Sequence, residues 1–321
     1  MIVPAEQLAL YRSMLRIRRT EEALATRYRE QQMRCPMHLC IGQEAVAAGV
    51  CHALRKTDRV FSNHRAHGHY LAKGGDLRRM LAELYGRETG CCAGRGGSMH
   101  LIDLEVGFMG STPIVGGTVP LAVGTAWSAR LRGETHVTVV FFGDGCFEEG
   151  VLHESMNFAA LHALPIVFVC ENNDYSVYTP LCVRQPRRSI AGVARAHGLN
   201  VAEIDGNDVM AVQATTRDAV AAARAGQGPW FIEASVYRWL EHCGPDDDSH
   251  LGYRSAQQIA HGRSQCPLAR LQARLATAGV LDSAASTALE DTIAQEIEAA
   301  FTYAISSPYP GVADLERHLF A

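Results

Sequence analysis

The stretch from His136 to Cys170 constrains this chain more than any other feature. It places one apolar run, His136-Val-Thr-Val-Val-Phe-Phe142, before a helical pattern from about Phe147 to His162. A second apolar run, Pro165-Ile-Val-Phe-Val-Cys170, follows. Continuous apolar runs, as opposed to alternating ones, belong to strands covered on both faces, and strand–helix–strand order requires those strands to be parallel. Asn200 to Ile204 and Pro229 to Val236 read as further strands. Between them, a helix over Val209 to Arg224 carries Ala211, Ala214, Ala219 and Ala222 at spacings that favour close packing on one face. The expected fold is α/β, with a doubly wound, mostly parallel sheet.

In such a sheet, ligands bind beyond the carboxyl ends of the strands, and two polar clusters fall there. Gly143-Asp144-Gly145 follows the first apolar run, and Glu171-Asn172-Asn173-Asp174-Tyr175 follows the second. Asp144 and Asn173 are separated by one helix and one strand, so the crossover returns both to the same edge. A carboxylate and an amide oxygen, completed by phosphate oxygens and water, suit Mg²⁺. Gly143 and Gly145 would permit close backbone approach to a phosphate, and the following helix would point its first N–H groups at the anion. The chain's 30 basic and 34 acidic residues give a net charge of −4. Phosphate affinity must therefore be local, and neither nucleic acid nor an anionic membrane is an expected partner.

Gly-Asp-Gly followed at this distance by Asn-Asn resembles the thiamine-diphosphate signature. The chain is similar over most of its length to the alpha subunits of two-gene 2-oxo-acid dehydrogenases, the pyruvate, branched-chain and acetoin enzymes. The resemblance runs through His38-Leu-Cys-Ile-Gly-Gln-Glu44, Arg65-Ala-His67-Gly68, Gly94-Arg-Gly-Gly-Ser-Met-His100, Ile114-Val-Gly-Gly117 and Asp205-Gly206-Asn-Asp-Val209. Leu152-His-Glu-Ser155 is closest to the acetoin and branched-chain branches. The resemblance implies a thiamine-diphosphate-binding fold and thiamine diphosphate with Mg²⁺ as cofactors. Its metal ligands would be Asp144, Asn173 and the Tyr175 carbonyl. Gly145 and Cys146 would contact the diphosphate, with Arg65 as its cationic clamp and His64 where relatives usually have Tyr. Val115 would lie under the cofactor's bent middle. Pro113 replaces a Gly of the pyruvate branch and removes an N–H. His38 and His67 match positions facing the substrate channel or the cofactor, which makes them catalytic candidates with His242, and a hydrogen-bonded structural histidine is the alternative for each.

Relatives read Tyr-Arg-x-His-Gly-His-Ser after the last strand, where this chain has Tyr237-Arg-Trp-Leu-Glu-His242-Cys. His242 is the expected working substitute for the first of those histidines, and the acidic run Asp246 to Asp248 is expected to be solvated. The glutamate that activates the cofactor would come from a beta subunit, since Glu148 and Glu149 lie at the diphosphate end. The implied assembly is α2β2, serving a lipoyl-bearing acyltransferase and a small 2-oxo acid. Two alternatives stay open: a split transketolase-like enzyme moving a two-carbon ketol unit, and a non-catalytic scaffold subunit.

The expected organisation is an N-terminal helical segment over 1–35, a cofactor-binding α/β domain over 36–265 and a C-terminal helical segment over 266–321. Glu6 to Gln31 reads as a surface or interface helix, and Leu289, Ile293, Ile297, Ala300 and Ala304 as one face of a late amphipathic helix. The ten cysteines include no C-x-x-C and are expected to be reduced thiols. The His64-x-x-His67-x-His69 run invites a zinc reading that its neighbour Arg65 disfavours. With no long apolar stretch, the chain reads as cytoplasmic.

Overall fold

The computed structural model describes residues 2–317. Six parallel strands make the central sheet: β1 (Arg59–Ser62), β2 (Phe108–Ser111), β3 (Thr138–Gly143), β4 (Ile166–Asn172), β7 (Asn200–Asp205) and β8 (Trp230–Ser235), in the order β2-β1-β3-β4-β8-β7. A two-strand hairpin of β5 (Tyr175–Ser176) and β6 (Thr179–Pro180) lies beyond the end of β4.

Why β3 reads as an unbroken apolar run is plain from its surroundings. Val139 and Phe141 enter a core shared with Val167, Val169, Ile232 and several helices, whereas Val140 and Phe142 enter a second core with Phe168, Cys170 and Phe231. Period-two alternation is present, but helices cover both faces. Among the described residues no helix is long and apolar enough to cross a membrane.

Several elements differ from the sequence reading. The opening helix, Pro4–Tyr28, is a core helix, since Leu10, Tyr11, Met14, Leu15, Ile17 and Leu24 are all buried. It packs against the late helix, Ser283–Ser306, with Arg16–Glu296, Arg19–Glu290 and Arg27–Glu298 pairs along the seam. The helix after β3 begins at Gly150, because a 3-10 turn, Asp144–Glu148, and an extended Glu149 come first. In Val209–Arg224 the buried face is Val209, Val212, Thr216, Ala219 and Ala223 with Gln213 and Val220; of the four alanines expected to pack, only Ala219 is fully covered. All ten cysteines are free.

The strand order places the topological switch between β1, whose chain continues outward to β2, and β3, whose chain continues the other way to β4. Loops leaving the carboxyl ends of these strands part there and leave a crevice.

Candidate functional site

Five loops converge on that crevice. They follow β1 (His64, Arg65), β2 (Pro113, Val115), β3 (Asp144, Gly145, Cys146), β4 (Asn173, Tyr175) and β8 (His242), and they line one cavity of about 200 Å³ together with His38 and Gly143. Every residue expected from the sequence is there except His67. The cavity wall also includes Gln43, Asn63, Met99 and Glu171. Gln43 and Met99 lie inside strings that carry the family resemblance, and Glu171 opens the second polar cluster, so the signal for these three was present. Asn63 had none.

Parallel register explains the metal end. Gly143 pairs with Glu171, so the residues that follow leave the sheet side by side. Asp144 is only 1% exposed. Its Oδ1 accepts the Asn173 N–H at 3.3 Å, and its Oδ2 pairs with Arg184. Burial raises the Asp144 pKa, with Arg184 opposing the rise. Asn173 Oδ1 accepts the Tyr175 N–H at 3.1 Å and keeps a second lone pair for another partner. A Cβ at Gly145 would lie 3.2 Å from Ser176 Oγ, so a side chain there would crowd the space beside the carboxylate. A carboxylate and an amide oxygen beside an uncluttered backbone fit a hard cation carrying a diphosphate.

Arg65 supplies the opposite charge. The Asn63 side chain accepts the Arg65 N–H at 2.8 Å and sets the turn that opens the helix Ala66–Lys73. The guanidinium is 5% exposed and donates to Leu39 O (2.7 Å), His242 O (2.8 Å) and His242 Nδ1 (3.2 Å), all neutral acceptors. Burial and, next, the Arg238 charge push its pKa down to about 9, which leaves it cationic at neutral pH. A buried cation with neutral partners only is an anion site in waiting.

His38, His64 and His242 form the rest of the wall, with ring centroids 4.7, 5.0 and 5.3 Å apart. Burial first, then Arg65, lowers His38 to about 3 and His242 to about 4, and holds His64 well below the usual imidazole range. All three are neutral at pH 7. Their ligating atoms lie within 4.8 Å of one another, a spacing open to a transition metal. The Arg65 charge against the cluster favours an anion or a polar substrate there instead.

The expectation of a channel-facing His67 is not met in the geometry. Its ring is fully buried, with Nδ1 2.6 Å from Glu21 Oε1 and Nε2 2.8 Å from Ser98 Oγ. Glu21 also accepts the Cys40 N–H, so the pair ties the first helix to the strand of sequence carrying His38. His69 turns elsewhere again, to Ser62 Oγ at 2.8 Å and Glu171 at 3.3 Å, stacked on Phe141. The 64/67/69 run therefore shares no ligand.

Residues 12–313 match the family model of the dehydrogenase E1 component. The chain belongs to this family. It is 37% identical over 308 residues to the alpha subunit of acetoin:2,6-dichlorophenolindophenol oxidoreductase of Bacillus subtilis, covering 96% of this chain and 91% of that protein. It is equally 37% identical over 321 residues to the pyruvate dehydrogenase E1 alpha subunit of Porphyra purpurea, covering 98% and 92%. The human somatic mitochondrial pyruvate dehydrogenase E1 alpha subunit is 34% identical over 315 residues, covering 98% and 79%.

The loop that departs most from the family pattern is held firmly in this E1 chain. His242 follows Tyr237 by the same interval as the second histidine of Tyr-Arg-x-His-Gly-His-Ser, and Leu240 occupies the place of the first. His242 lines the cavity from this loop. The Arg18 and Arg263 guanidiniums lie over the Trp239 ring, 4.3 and 5.9 Å from its centroid, and the Trp239 backbone N–H donates to Ile41 O at 3.2 Å. Gly42, at φ +95°, faces that indole so closely that a Cβ would fall 2.3 Å from the ring. The acidic run is not uniformly solvated. Asp246 and Asp247 are half-exposed, but Asp248 is 2% exposed and pairs with Arg254, Arg238 and the Tyr253 hydroxyl. Two buried arginines require a buried counter-charge, and the third aspartate meets that requirement. Glu148, at the diphosphate end, is taken up by Arg184 and Gln185.

Proposed function

We propose that this chain is the alpha subunit of a thiamine-diphosphate-dependent 2-oxo-acid or acetoin dehydrogenase and holds the diphosphate and Mg²⁺ end of a shared active site. The observation that carries this reading is the pairing, across one cavity, of the buried Arg65 cation bound only to neutral groups with the buried Asp144 carboxylate beside Asn173. A magnesium diphosphate answers both requirements at once. Asp144, Asn173 and the Tyr175 carbonyl would hold the cation. Arg65, His64, Gly143, Gly145 and Cys146 would receive the diphosphate, and Pro113 and Val115 would underlie the cofactor's middle. Pro113 can offer a carbonyl there but no N–H.

Bound thiamine diphosphate supplies a nucleophilic carbon and an electron sink for cleaving the bond beside a carbonyl. The chain's own part is placement and electrostatics. Neutral His38 and His242 can each accept or donate one proton to a substrate oxygen, and Arg65 keeps His242 oriented through its ring and its carbonyl. His67 acts at one remove, fixing Ser98 and the Glu21–Cys40 contact.

Ile114 and Val115, 69% and 45% exposed, sit on the cavity wall and call for a covering surface. The cavity is also smaller than the roughly 300–1,000 Å³ of pockets that enclose a ligand of this size. A beta subunit in an α2β2 assembly would cover those residues, complete the site and contribute the activating glutamate. A lipoyl-bearing acyltransferase would receive the acyl group, in the cytoplasm. In this arrangement residues 36–265 form the cofactor-binding unit, and 1–35 and 266–321 are helical additions.

Co-purifying the chain with a beta subunit of this family from the same source, and assaying the pair against pyruvate, branched 2-oxo acids, acetoin and ketose phosphates, tests the reading. Cleavage of a 2-oxo acid or acetoin by the pair, with little by the chain alone, is expected. Glycolaldehyde transfer from a ketose phosphate would instead make it a split transketolase, and no cofactor binding by the pair would make it a scaffold.

A further inference from the structure

Asp144 meets a second residue whose position calls for a function of its own. Arg184 closes the short helix Leu181–Arg184, on the same segment that carries Asn173 and Tyr175. Its side chain is 10% exposed and stands outside the cavity wall. One guanidinium nitrogen pairs with Asp144 Oδ2, a second donates to both Glu148 oxygens (2.6 and 2.7 Å), and Nε donates to Thr179 O at 3.0 Å. Gln185 adds donors to Glu148 and, at 3.4 Å, to Asp144 O. The turn Asp144–Glu148 and the segment 173–185 are therefore tied at both ends of one fork.

We propose that Arg184 is a positioning residue for the metal centre, holding the Asp144 carboxylate by Oδ2 so that Oδ1 stays beside Asn173 and the cavity. This rests on the assignment of Asp144, Asn173 and Tyr175 as the cation's ligands. A buried carboxylate without an outer partner is free to turn about its single bond, and that change spoils a ligand. Only a planar fork with separate nitrogens reaches Asp144, Glu148 and the Thr179 carbonyl together; a lysine ammonium at this place could not span the three. Arg184 does not line the cavity, so it touches the ligand and not the cavity wall.

The test is calorimetry of thiamine diphosphate binding at a series of Mg²⁺ concentrations, on the chain together with its beta subunit and on the same pair carrying Arg184→Met, Arg184→Lys or Arg184→Gln, with thermal melts of each. Arg184→Met and Arg184→Gln, whose amide nitrogen reaches only as far as the Nε that faces Thr179 O, should weaken apparent Mg²⁺ affinity about 10- to 100-fold, the usual cost of losing a ligand's outer partner. Arg184→Lys, which keeps one charged donor toward Oδ2 and guards against misfolding of the other two, should recover part of that loss. Saturating Mg²⁺ should restore cofactor affinity in all three, a recovery that a merely structural residue would not show. Unchanged or tighter Mg²⁺ affinity, or a loss that excess Mg²⁺ does not repair, overturns the proposal. A wild-type pair that binds no cofactor would overturn the reading beneath it as well, and so marks that failure apart.

Discussion

Replacing Arg65 by Met separates binding from folding at this site. In the cofactor-free chain the guanidinium is buried among neutral acceptors, two backbone carbonyls and one imidazole. Removing it forfeits those bonds, worth about 1 kcal/mol each, but also relieves a desolvated charge whose cost is visible in a pKa pushed down to about 9. The two effects oppose each other, so the melting temperature of Arg65→Met should move by no more than a few degrees. Binding is different. Two charge-assisted bonds to the diphosphate, at about 1.5 kcal/mol each, sum to about 3 kcal/mol, or roughly 150-fold in Kd. Calorimetry with thiamine diphosphate and excess Mg²⁺ should show that loss, while thermal melts of the unliganded variant stay near wild type. Wild-type affinity in Arg65→Met, or a collapse in melting temperature with no selective effect on binding, would refute the reasoning.

Acid should destabilise the fold through the histidine wall. Unfolded imidazoles take protons near pH 6.5, whereas His38 and His242 resist down to about 3 and 4. Their contribution is thus complete above pH 6.5 and is lost as pH falls toward 4, by at most about 1.4 kcal/mol per unit per imidazole. Melting temperatures should drop between pH 7 and 5, and less steeply in His38→Asn/His242→Asn; a flat wild-type profile would contradict this. Asp248→Asn should cost about 3–5 kcal/mol, because it leaves Arg238 and Arg254 buried with reduced counter-charge, and denaturant unfolding would measure it. His67→Gln should lower the unfolding midpoint by disturbing the Glu21 and Ser98 contacts, yet leave cofactor affinity near wild type by calorimetry.

What the sequence disclosed and what it withheld divide along a physical line. The parallel sheet was legible because β3 and β4 are continuous apolar runs with a helix-length interval between them, and their ends name the crevice. Asp144 and Asn173 could be paired from that interval alone, since parallel register puts Gly143 opposite Glu171. Contacts closed by distant residues were not legible. Nothing in Arg65-Ala-His67 announces that Glu21, on the first helix, holds the His67 ring, or that His64 turns instead toward His38 and His242. Local composition misled at Asp246 to Asp248, where three like charges suggest a solvated run but the third is enclosed by two arginines. Arg184 gave no signal, because its meaning lies in a carboxylate forty residues earlier in the chain.

The central claim is that the crevice between β1 and β3 is a magnesium diphosphate site. Its most direct test compares thiamine diphosphate with thiamine by calorimetry on the chain together with its beta subunit, with Mg²⁺ and after chelation. Binding of thiamine diphosphate only with Mg²⁺, its loss in Asp144→Asn, and little affinity for thiamine are predicted. Equal binding of the two compounds, or binding indifferent to Mg²⁺ and to Asp144, would contradict the account.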